Sequence, residues 1–272
     1  MNRLSLNQIT TKRWSLPEAV RGCADAGVKW IGLWRDKVAE VGADEATRLL
    51  REHGVRASSL CRGGFFTGIG PDGPTQDGIA DTRQAIDEAA RVDAGVLVLV
   101  VGGVASNDLA LSRRRVAEAL EQLVPVALDR GVQLGLEPLH PMQCAERSVL
   151  STLAQALELA EPYPADAVGV VVDEFHVWWD PAIEQSIAAS AGRIAGFHVC
   201  DQIVPLPDTL LGRALPGDGP INHRHLRECV EAAGYSGPIE VEVFNAELWA
   251  RPGDEVLRDV ITSYQTHVAP AG

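Results

Sequence analysis

Four side chains that could bind a metal ion or move a proton lie at the carboxyl ends of successive predicted strands. Glu137, Asp173 and Glu242 supply carboxylates, and His198 supplies an imidazole. A charged group at such a position is costly to bury unless a ligand or an opposite charge satisfies it. Oxygen-rich ligation with one nitrogen suits a single divalent cation, with Mn²⁺ as our first expectation and Mg²⁺, Co²⁺ or Zn²⁺ as alternatives. The sequence therefore predicts one metal site with coordination positions left for water or substrate.

The last of these strands contains two candidate ligands. It reads Glu240-Val-Glu242-Val-Phe244, and side chains two residues apart on a strand point to the same face. We expect Glu242 to be the ligand because it lies nearer the end of the strand.

The elements that must position these residues alternate between strand and helix along the chain. The predicted strands are Arg3–Gln8, Val28–Trp34, Val55–Cys61, Gly95–Val101, Val132–Glu137, Val168–Asp173, Arg193–His198 and Pro238–Phe244. The predicted helices lie near 16–26, 42–53, 76–93, 108–130, 149–160, 181–190, 223–233 and 253–266. This order predicts an α/β fold, a (β/α)₈ TIM barrel that forms a single domain over residues 1–272.

An open, doubly wound sheet is the alternative architecture. It would favour a glycine-rich phosphate-binding turn after the first strand, where this chain has Gln8-Ile9-Thr10-Thr11. Three irregular stretches of this chain follow predicted strands. In a barrel they would all lie at the carboxyl ends of the strands, the face on which barrel enzymes have their active sites. These stretches are Arg62–Pro74, Leu139–Arg147 and Asp201–Pro220.

Composition excludes several classes of function. The net charge of −13 at pH 7 repels polyanions, so we expect neither nucleic acid nor an anionic membrane as a partner. The chain has no apolar run long enough to span a bilayer and no signal-like leader in residues 1–11. Its five cysteines contain no CxxC pair, which indicates reduced thiols in a cytoplasm. We expect a cytoplasmic protein with a small-molecule ligand, and the sequence leaves a homo-oligomer open.

Five motifs resemble those of the xylose isomerase-like barrels, specifically the sugar phosphate isomerase/epimerase group with its ketose 3-epimerases and inosose enzymes. The resemblance spans nearly the whole chain. The motifs are Glu137-Pro-Leu-His-Pro141, Asp173-Glu-Phe-His176, Phe197-His198-Val-Cys-Asp201, Arg213 followed by Pro216-Gly-Asp-Gly219, and Glu240-Val-Glu242-Val-Phe244.

The resemblance implies a role for each matching residue. It implies that Glu137, Asp173, His198 and Glu242 hold one divalent metal ion and that the two glutamates also transfer protons. It further implies that His176 orients or protonates a substrate oxygen and that Arg213 binds the substrate. Arg213 lies farther after His198 than in shorter epimerases, which leaves the size of the substrate open.

The chemistry expected of such a site is proton abstraction next to a carbonyl group, through a cis-enediolate. Return of the proton to the neighbouring carbon isomerises the sugar, and return to the opposite face epimerises it. We therefore expect a metal-dependent sugar isomerase or epimerase. A lyase or dehydratase acting on a keto-sugar, keto-inositol or 3-keto-glycoside would use the same site and is the alternative.

Two further alternatives keep the barrel and change the class of function. A phosphodiester hydrolase of the apurinic-site endonuclease type is disfavoured by the acidic charge and by the scarcity of histidines at strand ends. A sugar-binding protein without catalysis should have lost a metal ligand, whereas this chain keeps all four.

The remaining candidate residues would bind the substrate. Trp34, Cys61 and Phe66 follow or end strands two and three, where aromatic faces can stack on a sugar ring. His140 and Asp201 belong to the motifs named above and are expected beside the same ligand. Cys61 has no evident base, so covalent catalysis is disfavoured.

Overall fold

Eight parallel strands close into a barrel in the computed structural model, which describes residues 2–68 and 77–270. Each strand pairs with the strands before and after it in sequence, and the last pairs with the first. The barrel strands are β1 (Leu4–Asn7), β2 (Trp30–Trp34), β3 (Arg56–Gly64), β4 (Val96–Val100), β5 (Gln133–Leu136), β6 (Val168–Asp173), β7 (Ile194–Val199) and β8 (Ile239–Val241). The predicted (β/α)₈ barrel is confirmed.

Helices surround the barrel, and short ones also follow several strand ends. The α-helices are α1 (Leu16–Asp25), α2 (Arg35–Val41), α3 (Ala43–His53), α4 (Gly78–Arg91), α5 (Leu109–Arg130), α6 (Leu153–Ala160), α7 (Glu174–Val177), α8 (Ile183–Ala189), α9 (His223–Ala232), α10 (Ala246–Ala250) and α11 (Gly253–Ser263). Short 3₁₀ segments cover Gln8–Thr11 and Pro141–Gln143. No described helix is long and apolar enough to cross a membrane.

Strand β4, with the sequence Val-Leu-Val-Leu-Val, is apolar on both faces because helices cover the outside of the barrel and side chains fill the inside. All six residues of β6 are buried. Gly135 on β5 makes room in this packing, since a methyl group there would lie 2.8 Å from Cγ2 of Val171. The helices contribute amphipathic faces, as in α3, where Ala46, Leu49 and Leu50 are buried.

Several predicted boundaries differ from the structure, including the end of β3 at Gly64, and two of the differences have an identifiable reason. Strand β8 ends at Val241, three residues before its predicted end, because the Thr10 hydroxyl accepts the Val243 amide and donates to the Val241 carbonyl. Helix α6 begins at Leu153, later than predicted, because Val149 donates to the Gly102 carbonyl and Thr152 then caps the helix.

The loops that follow the strands form the rim above the four predicted ligands. After β7, Asp201–Gln202 pairs with Arg213–Ala214 in an antiparallel ribbon that the sequence did not predict. Of the predicted rim stretch after β3, residues 69–74 lie outside the described residues, as does the predicted start of the next helix at 76. Asp77 caps that helix, α4, by accepting the Ala80 amide at 2.9 Å.

Candidate metal centre

The four predicted ligands meet at the carboxyl end of the barrel. Asp173 is the last residue of β6, His198 lies in β7, and Glu137 and Glu242 directly follow β5 and β8. One potential ligand atom from each lies within 4.8 Å of all the others. All four side chains are buried. They converge because β5 to β8 are neighbours in the barrel, and Asp173 and His198 are register partners.

Several ligand atoms in this cluster lack hydrogen-bond partners among the described residues. Both ring nitrogens of His198 and Oε1 of Glu137 are buried without a hydrogen bond of normal geometry. His198 Nδ1 lies 3.2 Å from Glu137 Oε1 and 3.9 Å from Glu242 Oε2. Buried polar atoms are normally satisfied, so unpaired nitrogen and oxygen atoms that face one another fit a site for a divalent cation.

Arg213 projects from the ribbon into this cluster. Its Nη1 donates to Oδ2 of Asp173 at 2.9 Å and to Oε2 of Glu242 at 3.0 Å. Its guanidinium lies between the Phe175 and Phe244 rings, 4.6 and 4.8 Å from their centroids. Burial alone would raise the pKa of Asp173, but Arg213 and two nearby histidines hold it below its ordinary value. Arg213 thus neutralises carboxylates in a water-poor site.

His176 presents a proton donor to the same cavity. Its Nδ1 accepts the His140 amide at 3.0 Å, and burial lowers the pKa of the ring well below its ordinary value. The neutral ring therefore carries its proton on Nε2, the tautomer that this hydrogen bond implies. Nε2 lies 2.9 Å from Nη2 of Arg213, so two donors face each other. A substrate oxygen at this position would accept from both.

The two glutamates of the last strand have different surroundings. Glu240 lies on the other side of His198, with Oε1 3.7 Å from Nε2, whereas Glu137 and Glu242 face Nδ1. The Asn7 amide donates to both Glu240 and Glu242, at 3.0 and 3.1 Å. Gly32 makes room for Glu240, because a methyl group there would lie 2.0 Å from its Oε2. Glu242 belongs to the four-ligand cluster, as expected from the sequence.

These carboxylates control the protonation of the metal-free site. Burial lowers the pKa of His198, but Glu240, Glu137 and Glu242 outweigh this effect and raise it to about 10. Burial raises the pKa of Glu242 to about 7, against the opposing charges of Arg213 and His198. The metal-free site therefore holds a proton on His198 at neutral pH.

A cleft of about 670 Å³ opens above the cluster. Trp34, Cys61, Arg62 and Phe244 line this cleft and also the smaller cavity that contains Glu137, His176 and Glu242. The aromatic walls suit the faces of a sugar ring. Burial and the nearby glutamates raise the pKa of Cys61 well above its ordinary value, so its thiol is neutral.

Three of the predicted substrate-binding residues do not line these cavities. Phe66 packs against the main hydrophobic core, and its neighbour Phe65 lines the cleft instead. His140 packs edge-on against Trp179, with ring centroids 5.5 Å apart, and its Nδ1 accepts the Met142 amide. The carboxylate of Asp201 accepts hydrogen bonds within its own loop. These three assignments stay predictions that the cavity walls do not support, since strand and motif spacing does not fix side-chain direction in loops.

Sequence reasoning missed two residues that the structure brings to the site. Asn7 bridges two carboxylates, and the sole sequence signal is a polar residue at the end of β1. Arg147 lines the inner cavity with Glu137, His176 and Arg213. It lies in the stretch predicted to rim the site, but no sequence motif distinguishes it there.

Comparisons with known proteins relate the chain to one family of barrels. A family model described as xylose isomerase-like TIM barrel matches residues 20–263. An inosose isomerase of Halalkalibacterium halodurans is 29% identical over 150 residues, which are 54% of this chain and 51% of that protein. A 3-dehydroshikimate dehydratase of Pseudomonas aeruginosa is 30% identical over 161 residues, 57% of this chain and 24% of that protein. The matched part thus spans about half of the first relative and less of the second.

Solved structures share the fold over almost the entire chain. A protein of Sinorhizobium meliloti 1021 is 40% identical, with a TM-score of 0.92, and the match covers 98% of this chain and 99% of that one. The IOLI protein, solved with a bound zinc atom, is 20% identical with a TM-score of 0.82, and 98% of each chain is covered.

We predict that the protein binds one divalent metal ion per chain. His198→Ala loses a ligand and should weaken this binding by more than the roughly 10- to 100-fold that loss of an outer-shell partner costs. Elemental analysis gives the stoichiometry, and calorimetric titration of metal-free protein with Mn²⁺ gives the affinity. His225→Ala is the control, because His225 is exposed and pairs with Glu184 away from the cluster. Unchanged affinity in His198→Ala would contradict the assignment.

We also predict that metal binding releases protons. His198 has a pKa of about 10 in the metal-free protein and must lose its proton to bind a metal, so affinity should fall about tenfold per pH unit as the pH drops from 9 to 7. Below pH 7 the dependence should steepen, because Glu242, with a pKa of about 7, then also becomes protonated.

Calorimetry in buffers of different ionisation enthalpy counts the released protons. Glu240→Gln removes a charge that raises the pKa of His198. The metal affinity of this variant should therefore stop depending on pH at a lower pH than the metal affinity of the wild type. Equal wild-type affinity at pH 7 and pH 9 would show that no such proton is displaced.

Proposed function

We propose, since the chain belongs to the xylose isomerase-like TIM barrel family, that it is a divalent-metal-dependent isomerase or epimerase of sugars or keto-sugars. The observation that carries this proposal is the buried cluster of three carboxylates and one imidazole at the mouth of the barrel. The relatives named inosose isomerase and 3-dehydroshikimate dehydratase support an enzyme acting on a cyclic polyol or a related keto compound.

Glu137, Asp173, His198 and Glu242 would hold the metal ion. When bound, the ion would withdraw electron density from a substrate carbonyl and so acidify the neighbouring carbon. We favour Mn²⁺ because three of the four ligands are carboxylates, and Zn²⁺, which the IOLI structure contains, is the alternative.

Glu137 and Glu242 would transfer the proton. They follow β5 and β8, the outer two of the four strands that carry the ligands, and so reach the cavity from different sides. Two bases that approach one carbon from different sides suit epimerisation, in which one removes the proton and the other returns it. Isomerisation would need one base to move the proton between neighbouring carbons of the substrate enediolate.

His176 and Arg213 would orient the substrate. Their donors converge at Nε2 and Nη2, where a single hydroxyl or carbonyl oxygen can accept from both. Trp34, Phe65 and Phe244 supply apolar surface for a sugar ring along the wall of the cleft.

A dehydratase is the second candidate, and the similarity to 3-dehydroshikimate dehydratase favours it. The first step, removal of a proton next to a carbonyl, would be the same. The outcome would then depend on whether the substrate carries a leaving hydroxyl on the next carbon. A phosphodiester hydrolase has less support, because the described residues contain one cluster of ligand-type side chains rather than several.

The proposal includes a small sugar-like substrate and a cytoplasmic location. All five cysteines are free, which agrees with a reducing compartment. A homo-oligomer is compatible with the sequence and stays a prediction.

We predict that Glu137→Gln and Glu242→Gln each lower proton exchange by about 10²- to 10⁴-fold, the usual contribution of general acid–base catalysis. Glutamine keeps one oxygen ligand but removes the base, so metal should remain at least partly bound. Metal-loaded protein is incubated in D₂O with ketoses, inososes, 3-keto-glycosides and 3-dehydroshikimate, and deuterium uptake is followed by NMR. A new sugar isomer indicates isomerase or epimerase, and an unsaturated product indicates dehydratase.

His176→Asn is the comparison variant and should lose less activity, because it orients an oxygen rather than removing the proton. If both glutamine variants hold metal and exchange deuterium at wild-type rates, neither glutamate is the base. Absence of exchange with every compound in the panel would count against the proposed function.

A further inference from the structure

We infer that Arg147 forms a subsite for a negatively charged group on the substrate, a carboxylate or a phosphate carried by the keto-polyol. The inference deepens the proposed function and depends on it. It rests on an arginine that lines the inner cavity beside Glu137, His176 and Arg213 and whose side chain has no hydrogen-bond or ion-pair partner among the described residues.

The backbone of Arg147 is fixed at the rim of the barrel. Its carbonyl accepts the Gly102 amide at 2.9 Å and its own amide donates to the Gln143 carbonyl at 2.9 Å. Ser148 extends this contact as a parallel bridge to Gly102. Gly103 allows the close approach, because a methyl group there would lie 2.3 Å from the Ala145 carbonyl oxygen. The side chain therefore starts from a rigid position next to β4.

The guanidinium of Arg147 differs from those of Arg35 and Arg213 near the cleft. Arg35 donates to Glu88 at 2.6 Å and to Asp81 at 2.8 Å, and Arg213 donates to two carboxylates. Within residues 2–68 and 77–270, the side chain of the half-buried Arg147 makes no hydrogen bond or ion pair. Its donor groups are arranged in the fork that binds a carboxylate or phosphate in bidentate fashion.

The surroundings of Arg147 strengthen its attraction for an anion. Val100 and Leu139 line the same cavity and pack with Phe65, so this wall is apolar. Burial lowers the pKa of Arg147, yet an arginine remains protonated at neutral pH. Charge interactions across such poorly hydrated surfaces are stronger than in water. A bound anion would supply the missing acceptors.

Metal binding would leave this positive charge without compensation from the neighbouring carboxylates. A divalent cation and Arg213 together balance the three ligand carboxylates Glu137, Asp173 and Glu242. Glu240 faces the other side of the His198 ring and is braced by Asn7. Arg147 then remains as a cation on the wall of the inner cavity, which it shares with Arg62, whose guanidinium lies over the Phe65 ring.

The outer mouth of the cleft is a weaker candidate for the same role. Lys12 there lies 4.1 Å from the centroid of the Trp249 ring and shares the mouth with Asp36, whose charge opposes it. The geometry thus favours the inner end, where an anionic group would lie close to the reacting carbon.

The test is calorimetric binding of stable probes to the metal-loaded protein. Shikimate carries a carboxylate, myo-inositol 1-phosphate carries a phosphate, and methyl shikimate and myo-inositol are their neutral counterparts. We expect at least one anionic probe to bind about 10- to 100-fold more tightly than its neutral counterpart, the scale of charge-assisted hydrogen bonds. The two pairs distinguish a carboxylate from a phosphate as the preferred group.

Variants assign that preference to a residue. Arg147→Gln should remove it, Arg147→Lys should restore part of it, and Lys12→Gln, which removes the same charge at the outer mouth, should change it by no more than about twofold. If neither anionic probe binds better than its neutral counterpart, or if Arg147→Gln keeps the preference, the subsite does not exist. The second result would also follow if the anion bound directly to the metal.

This experiment needs no turnover, so its outcome is separate from that of the proposed function. If the protein exchanges deuterium with neutral inososes but binds anionic probes no better than neutral ones, the proposed function stands and the subsite is overturned. If the protein prefers an anionic probe but exchanges deuterium with no compound, the subsite is supported and the proposed function is not.

Discussion

The constraint on which the site depends is the mutual repulsion of carboxylates buried at one end of the barrel. Glu137, Asp173, Glu240 and Glu242 are all at most 6% exposed and lie on adjacent strands or directly after them. Isolated buried charges are strongly unfavourable, so each must be paired or neutralised. Arg213 and the Asn7 amide donate hydrogen bonds to these carboxylates, and the proton on His198 adds a positive charge beside them. A metal ion would replace the proton on His198, and binding is thereby coupled to pH.

The loop after β7 is ordered by a second set of buried charges whose effect is to deliver Arg213. The His223 ring lies between Glu174, 2.5 Å from its Nδ1, and Asp201, 3.0 Å from its Nε2. Burial lowers the pKa of His223, but the two carboxylates outweigh this effect and raise it to about 9, so the ring is charged at neutral pH. Asp201 also accepts the Gly217 and Ile221 amides. Asp201, which its motif predicts to lie beside the substrate, thus has a structural role in holding the loop in place.

The convergence of the four candidate ligands was predictable because a barrel imposes two strong rules. Strands that follow one another in sequence are neighbours, and their carboxyl ends meet on one face, so Glu137, Asp173 and His198 had to converge. The side-chain period of two placed Glu240 and Glu242 on one face, although it did not reveal that the His198 ring separates them. Loop residues follow no such period. Nothing in the sequence therefore indicated that Phe65 faces the cleft and Phe66 the core.

Arg147 illustrates what sequence reasoning leaves out at a site of this kind. Its position depends on a contact between two loops, in which Gly102 and Gly103 allow the backbone of residues 145–147 to approach closely. No rule of the barrel fixes such contacts between loops, whereas the candidate ligands lie at or directly after strand ends. The shared chemistry, proton removal beside a carbonyl, would then be set by the strands. Selection among substrates, and hence between epimerisation and loss of water, would be set by loop side chains such as this arginine. A barrel of this type can change its substrate without disturbing the four ligands, because the two tasks lie on different elements.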